Sequence, residues 1–452
     1  MTRLKRRILS LKGLLIGLMA GLISVAFRLC LEWIDEARWY LLAFAKVHGW
    51  LSCAAIAVGM GVLIALVVVA TVKYAPEAGG SGIPHLKGYL EGFYAFRAWR
   101  IILVKFFGGV IGIGSGLALG REGPTIQLGA AVAKILGDRV APNRVERKLL
   151  ISAGAGAGLA AAFNAPMAGV FFILEELQHS LNQLVLVTAF VASVTADIVC
   201  RLIMGHLPVF HVQLTSFPGI GMFPFFVVLG LFIGYLGLAF NQALLYSSKW
   251  VKSWPLRGKI ALALGLGVGM GILGLVLPEV LGLGGKLTEH VLGNRVTSGM
   301  LIVYFLLRFA LTMIGYSTGV PGGIFAPMLL LGALGGNFFG FCVRIVYPEA
   351  SFDPTVWGVL GMVGFFAASV RAPITGTILI LEMTGAYDLL LPFMIVSLCA
   401  YSIPEYYKDM PVYDALLKRD RPQKPLHQQQ ALEPLVSLPG ESPPSESSSP
   451  PS

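Results

Sequence analysis

A glutamate in the segment 120–124 (GREGP) has the setting in this chain that most favours chemistry. Glu122 is bracketed by glycine and proline, and the chain around it is 56% hydrophobic and only 13% charged. Ionisable residues within membrane segments are costly to bury, and they usually contact an ion, a proton or a substrate. The sequence therefore predicts that Glu122 handles an ion or a proton.

Two further segments combine glycine with proline, 80–84 (GSGIP) and 322–327 (GGIFAP). Glycine lets the backbone bend and proline is tolerated in the first helical turn, so each break predicts a helix that begins there. A helix start presents unpaired N–H groups and the positive end of the macrodipole. Several starts converging on one point would bind an anion through partial charges alone, and would still let it leave.

The elements that must position these segments are those of a membrane protein. Soluble domains contain about 25% charged residues, whereas this chain contains 13% and has a mean hydropathy of +0.76. Several apolar runs reach or approach the roughly 20 residues that a membrane-spanning helix needs. They are 11–31, 51–72, 223–245, 260–277 and 301–314. We predict an all-α polytopic membrane protein whose first helix is retained rather than cleaved as a signal peptide.

Charge and cysteine usage exclude several other classes. The net charge of +10 does not indicate nucleic-acid binding, because the basic residues cluster at the two ends. They are Arg3, Lys5, Arg6, Arg7, Lys12, Lys418, Arg419, Arg421 and Lys424. The positive-inside rule predicts that both termini are cytoplasmic, and we expect the plasma (inner) membrane. The five cysteines and seven histidines show no metal or disulfide spacing, so we expect no metal and no cofactor.

The first part of the chain is repeated in the second. A shift of 203 positions aligns Lys105 with Arg308 and Glu122 with Phe325. The same shift also aligns several glycines and a proline of the two segments. Further along, the matching segments lie 207 positions apart. Lys105 and Arg308 are interpreted as buried structural charges paired with acids, and attraction of anions is the alternative. The repeat leaves open whether the two halves are parallel or inverted.

Four segments follow from the repeat and the composition. We predict a basic N-terminus at 1–10, a first membrane repeat at 11–207 and a second at 208–417. The remaining residues, 418–452, are rich in proline and serine and predict a disordered tail.

Together, GSGIP, GREGP and GGIFAP resemble the signatures of the CLC family of chloride channels and proton-coupled chloride transporters, and the similarity extends over 11–417. The resemblance implies two inverted halves of tilted and partial helices, and a homodimer in a lipid bilayer with one anion pathway in each subunit. The Ser81 hydroxyl and the backbone amides of Ile324 and Phe325 would bind the central anion. A tyrosine hydroxyl usually completes that site, and the best match is Tyr413, near the end of the last helix.

The resemblance also implies roles for two glutamates. Glu122 would be the external gate, whose carboxylate mimics an anion and swings aside when protonated. Glu176 matches the residue through which exchangers pass protons to and from the intracellular side, where channels usually carry an uncharged residue. Ser81 goes with chloride rather than nitrate, and GREGP is not the form of the fluoride-exporting branch. The expected function is proton/chloride antiport, and the short tail is typical of a prokaryotic type.

The roles of two further residues, Glu175 and His85, are less defined. Glu175 is the repeat-mate of Glu382, and it is interpreted as structural or as lining a water route to Glu176. His85 stands where many relatives carry glutamate, which changes the electrostatics near the inner mouth.

Two other functions are open to this sequence. One is a passive, voltage- or proton-gated chloride channel of the same fold. The other is an intramembrane serine protease, because residues 79–82 (GGSG) contain a G-x-S-G nucleophile motif. A protease needs a histidine base within hydrogen-bond reach of the serine. The candidate histidines are His179, His206, His211 and His290.

Overall fold

The computed structural model describes residues 3–179, 182–205, 209–210, 219–348 and 354–421. Within these ranges the fold is all-α, as predicted, and the one β feature is an isolated bridge. The helices are α1 (Arg3–His48), α2 (Trp50–Tyr74), α3 (Ile83–Glu91), α4 (Ala98–Gly114), α5 (Glu122–Val140), α6 (Arg144–Phe163), α7 (Pro166–Phe172), α8 (Gln183–Met204), α9 (Phe223–Lys252), α10 (Leu256–Val276), α11 (Gly285–Leu292), α12 (Ser298–Ser317), α13 (Phe325–Val346), α14 (Thr355–Val370), α15 (Pro373–Thr384), α16 (Leu390–Tyr406) and α17 (Val412–Asp420). Short 3-10 turns cover Pro76–Ala78, Ile220–Met222, Pro278–Val280 and Tyr387–Leu389, and Ile173–Leu177 is a π-helical turn.

Eight of the described helices are long and apolar enough to cross a membrane. They are α1, α2, α8, α9, α10, α12, α13 and α16 with its preceding turn. Four of the five predicted apolar runs lie wholly within these helices, and the fifth, 260–277, ends one residue beyond α10. Several other helices, such as α3, α7 and α11, are too short to cross. The seven residues of α7 extend only about 10 Å, against the roughly 30 Å of a bilayer core.

Two backbone hydrogen bonds between the halves join equivalent positions in opposite directions. The Gly80 amide donates to the Gly319 carbonyl oxygen, and the Gly282 amide donates to the Gly116 carbonyl oxygen. Gly319 lies 203 positions after Gly116, and Gly282 lies 202 positions after Gly80. The second bond is therefore the first with the halves interchanged. An internal two-fold arrangement of the halves produces this exchange, which fits the fold that the family resemblance implies.

Lys105 and Arg308 also occupy equivalent places, but their partners differ from the prediction. Both are fully buried, and each donates to backbone carbonyl oxygens in the loop before a short helix. The pairs of acceptors are Ala78 and Gly80 for Lys105, and Val280 and Gly282 for Arg308, at 2.7–2.9 Å. The expectation of acidic partners is wrong. Carbonyl dipoles take the place of acidic partners, so no second ion has to be desolvated.

Two glutamates cap each other's helices across the same two-fold arrangement. The Glu175 carboxylate accepts from the amides of Ile374 and Thr375 at 3.3 and 2.8 Å, at the start of α15. Glu382, at the end of α15, accepts from the amides of Met167 and Ala168 at 3.1 and 2.9 Å, at the start of α7. A carboxylate at a helix N-terminus satisfies unpaired amides and complements the macrodipole. These hydrogen bonds therefore favour the interpretation of Glu175 as a structural residue over that of a residue lining a water route.

The helices extend past the predicted membrane part at both ends. α1 begins at Arg3 and α17 ends at Asp420. The prediction of disorder from 418 is wrong for 418–420, because Asp420 pairs with Lys252 at 2.6 Å and with Arg419, which holds the last turn of α17. Residues 422–452, the rest of the predicted tail, lie outside the described residues.

The reciprocal caps predict a matched pair of stability losses. Glu175→Ala and Glu382→Ala each remove a carboxylate from a helix start and should destabilise the protein by about 1–2 kcal/mol. The check is the midpoint of thermal unfolding of the purified protein in detergent. Glu36→Ala, at an exposed position of α1, is the control and should leave the midpoint unchanged. Equal midpoints for all three variants would contradict the capping role.

Candidate functional site

Four helices begin around one point. α3 begins at Ile83, α5 at Glu122, α13 at Phe325 and α17 at Val412. The N-cap residues of all four make no side-chain capping hydrogen bond. The helix starts predicted from GSGIP, GREGP and GGIFAP are therefore confirmed. Their amides and dipoles create a region of positive potential without a charged side chain.

Glu122 places its carboxylate at the start of a helix from the other half. Its Oε2 accepts from the Ala326 amide in the first turn of α13, at 3.4 Å, and the side chain is 1% exposed. The two loops are joined just before this point, because Gly120 and Gly323 form an antiparallel bridge with both N–O distances at 2.7 Å. The carboxylate thus stands where a free anion would meet the N-terminus of α13.

Ser81, Phe325 and Tyr413 lie on the other side of the same helix starts. The Phe325 ring is packed 5.9 Å from the Tyr413 ring, and both side chains are fully buried. The Tyr413 hydroxyl has no hydrogen-bond partner among the described residues. Ser81 Oγ lies 3.5 Å from the hydroxyl oxygen of Tyr316, a residue that the sequence analysis missed. Hydroxyl groups near helix starts offer an anion neutral donors.

Tyr413 is not where the sequence predicted it within its helix. It was expected near the end of the last helix, but it is the second residue of α17. The reason is a break after α16, where Lys408 has a positive φ of 54° and Pro411 is the N-cap of α17. The break turns the chain back so that α17 starts, rather than ends, at the site.

Glu176 lies within the π-helical turn that continues α7, and it is 3% exposed. Its Oε1 accepts from the Lys87 ammonium at 2.9 Å, and that ammonium also pairs with Asp414 on α17. Sequence reasoning did not find Lys87 or Asp414 as functional candidates. Lys87 lies five residues after Gly82, and the glycine and proline of that segment predicted only a helix start.

The site separates two cavities. One, of about 280 Å³, is lined by Glu122, Arg121 and Glu32, and Arg121 lies 3.7 Å from the Glu32 carboxylate. The other, of about 610 Å³, is lined by Gly80, Tyr316 and residues of α17. Glu122 and Ala326 line the first cavity and Gly82 lines the second, so residues of the helix starts border both cavities.

His85 lines the larger cavity. Its ring stacks on those of Tyr94 and Phe96, with centroids 5.1 and 5.7 Å away. His85 therefore contributes to an aromatic wall of this cavity, at a position where a glutamate would introduce a negative charge.

The geometry does not favour a serine protease. Among the described residues, the hydroxyl partner of Ser81 is Tyr316 and not a histidine. His290 pairs with Glu279 at 3.4 Å, in the cavity on the Glu122 side. His206 and His211 lie outside the described residues. Within the described part of the chain, no group of three or more Cys, His, Asp or Glu side chains is arranged to hold a metal ion.

Comparison with known proteins gives one family. Residues 61–405 match the family described as "Voltage gated chloride channel". A protein of Salmonella arizonae named H(+)/Cl(-) exchange transporter ClcA is 37% identical over 421 residues, which cover 90% of this chain and 88% of the relative.

Solved structures agree with this family. A slow cyanobacterial Cl−/H+ antiporter superposes with a TM-score of 0.87 at 30% identity, covering 91% of this chain and 97% of the other. A CLC-type fluoride/proton antiporter superposes with a TM-score of 0.72 at 25% identity, covering 92% of this chain and 99% of the other.

Close packing of the loops predicts that Gly123 tolerates no side chain. A Cβ at Gly123 would lie 2.8 Å from the Ser81 carbonyl oxygen and 2.9 Å from its Cα. Gly123→Ala should push the Ser81 loop away and destabilise the protein by about 1–3 kcal/mol. Gly59→Ala is the control, because a Cβ there meets nothing within 4 Å. Thermal unfolding in detergent should show a lower midpoint for Gly123→Ala alone, and an unchanged midpoint would contradict the packing.

Proposed function

The chain belongs to the voltage-gated chloride channel (CLC) family and is an integral, multi-pass membrane protein, and we propose that it exchanges chloride for protons. One observation carries the proposal. The Glu122 carboxylate accepts a hydrogen bond from the Ala326 amide, at a point where four helix starts meet whose own N-cap side chains make no capping bond. A titratable anion and a transported anion would compete there for the same donors, which links proton binding to anion movement.

The relatives support this choice of ions. The Salmonella relative is named a proton/chloride exchange transporter, and the cyanobacterial structure is that of a chloride/proton antiporter. The fluoride/proton antiporter is less similar in sequence and in superposition. Ser81 within GSGIP is the family's mark of chloride preference, so chloride is the anion of this proposal.

Chloride would bind between the Ser81 hydroxyl, the Tyr413 hydroxyl and the amides of Ile324 and Phe325. The buried Tyr413 hydroxyl is free to donate, since it bonds to no other described residue. Neutral hydroxyl and amide donors hold an anion by partial charges, so the anion can leave again. A lysine or arginine in direct contact would bind it more tightly and slow its release.

Glu122 would act as the gate. As a carboxylate it occupies the start of α13 and excludes chloride from that position. Protonation removes its charge and weakens its hold on the Ala326 amide, because a hydrogen bond to an ionised acceptor is roughly twice as strong as a neutral one. The neutral side chain then moves toward the cavity that it lines, and chloride takes its place.

Glu176 would exchange protons with the intracellular side. It is buried, yet its partner Asp414 is 30% exposed, so a polar route leads from water to the Glu176 carboxylate. This feature favours an exchanger over a passive channel of the same fold, because a channel needs no internal proton acceptor.

The assembly and orientation are part of the same proposal. A homodimer with one pathway in each subunit follows from the family, as do repeats at 11–207 and 208–417. Cytoplasmic termini in the inner membrane follow from the basic residues at both ends of the sequence. No cofactor enters the proposed exchange.

Ion flux from reconstituted vesicles tests the function. With a chloride gradient imposed and no proton gradient, an exchanger drives protons uphill, and chloride efflux accompanies proton influx. A channel carries chloride current that reverses at the chloride Nernst potential and moves no protons. Chloride flux without any proton movement would overturn the exchange proposal.

Glu122→Gln should abolish proton movement and leave chloride flux, because an amide keeps the side-chain volume but cannot titrate. We expect proton flux at the level of empty vesicles and chloride flux of the same order as in the unchanged protein. Glu36→Gln, an exposed position that lines the same cavity, is the control and should keep both fluxes. Retained coupling in Glu122→Gln would remove this residue from the gate.

Glu176→Gln should also abolish proton flux, while chloride binding survives. The reason is that the substitution removes the internal proton acceptor and leaves the four helix starts unchanged. Proton flux and chloride affinity, the latter by calorimetric titration, are the two measurements. Glu91→Gln, exposed at the end of α3, is the control. Unchanged proton flux in Glu176→Gln would mean that another group accepts the proton.

A further inference from the structure

Lys87 forms a buried ion cluster with two carboxylates from other parts of the chain. Its ammonium lies 2.9 Å from Glu176 and also contacts Asp414. The side chains of Lys87 and Glu176 are each 3% exposed, whereas Asp414 is 30% exposed. One cation therefore serves two anions, and only one of the anions faces water.

Among the described residues, the other charged groups around Glu176 are held by partners of their own. The carboxylate next in the sequence is that of Glu175. Glu175 is itself bonded to the start of α15. Charged groups on the other helices packed against this turn have their own partners. On α6, Glu146 pairs with Lys12, Arg147 pairs with Asp138, and Lys148 donates to the Leu90 carbonyl oxygen. On α8, Asp197 pairs with Arg201. Arg144, at the start of α6, also makes a polar or electrostatic contact.

We propose that Lys87 and Asp414 are positioning residues that set the proton affinity of Glu176. Lys87 holds Glu176 ionised when no proton is in transit. Asp414 keeps Lys87 paired when Glu176 takes up a proton. The inference deepens the proposed exchange function and rests on it, because it concerns the internal proton step.

Lys87 keeps an ionised carboxylate partner before and after the proton step. Before it, Lys87 is an ammonium between two carboxylates, and the cluster carries one net negative charge. A proton from the intracellular side then binds the Glu176 carboxylate, which becomes a neutral carboxylic acid. Lys87 remains an ammonium paired with Asp414, and the cluster is neutral. With Lys87 and Glu176 alone, the same proton would leave an unpaired buried ammonium, which is strongly unfavourable.

The two partners predict opposite changes in the pH profile of proton flux. Lys87→Met removes the counter-ion of a buried carboxylate, so Glu176 should hold its proton at higher pH. Asp414→Asn removes the competing anion, so Lys87 should hold Glu176 ionised to lower pH. An opposite charge at this range moves a carboxyl's titration by roughly 1–3 pH units. We expect the pH of half-maximal proton flux to rise by about one unit or more in Lys87→Met, and to fall by about one unit or less in Asp414→Asn, whose charge is screened by water.

The measurement is proton flux from vesicles containing the full-length protein, recorded between pH 4 and 9 with equal pH on both sides. Chloride affinity by calorimetric titration is the folding check, because it does not require the proton step. Lys87→Arg keeps the charge and should keep the profile, and Asp414→Glu should do the same. Lys134→Met and Asp138→Asn are matched controls, since they remove a surface ion pair on α5. If Lys87→Met does not fold, Lys87→Gln and Asp414→Asn carry the test.

Three outcomes would overturn the proposal, and they differ from one another. If Glu176→Gln abolishes proton flux but neither Lys87→Met nor Asp414→Asn moves the profile, the cluster is only structural and the exchange function stands. If both variants shift in the same direction, the assigned competition between the two carboxylates is wrong. Proton flux that persists in Glu176→Gln would remove the internal acceptor, and with it both this inference and that part of the proposed function.

Discussion

The hydrogen bond from the Ala326 amide to the Glu122 carboxylate joins the two halves of the chain where their helices begin. A backbone amide at a helix start cannot be satisfied within its own helix, so it needs a partner from elsewhere. Here that partner is a side chain whose charge depends on one proton. The other three helix starts of the site also have N-cap residues whose side chains make no capping hydrogen bond.

The internal two-fold arrangement explains how a chain builds such a site. Each half supplies a glycine-rich loop followed by a helix start, and the loops meet at the bridge between Gly120 and Gly323. Equivalent positions differ where chemistry is needed, because Glu122 corresponds to Phe325. One half thus contributes the titratable carboxylate, and the other contributes the amides that receive it. Two glutamates at these positions would place like charges together, and one would stay protonated.

The sequence predicted the elements of the site better than their contacts. The starts of α3, α5 and α13 could be read from glycine and proline spacing, because those residues fix local backbone geometry. Tyr413 was assigned to the wrong end of α17, since a turn before Pro411 redirects the chain. The partners of Lys105 and Arg308, and the contact of Lys87 with Glu176, involve residues far apart in the chain. A single sequence carries no local signal for such pairs, because burial and folding alone bring them together.

The protein holds its buried and half-buried ionisable groups in two different ways. Lys105 and Arg308 bond to carbonyl oxygens, and Glu175 and Glu382 bond to amides, so the partners of each are neutral groups. At least two hydrogen bonds fix the position of each of these side chains.

Lys87 differs from that group because it faces two carboxylates, one buried and one near water. With two anions for one cation, a single proton can be accepted without leaving any ion unpaired. A cluster with matched charges would resist protonation, and a lone buried carboxylate would resist ionisation. The unequal cluster avoids both extremes, and this is the physical reason for proposing that Glu176, rather than Glu175 or Glu382, takes up the transported proton.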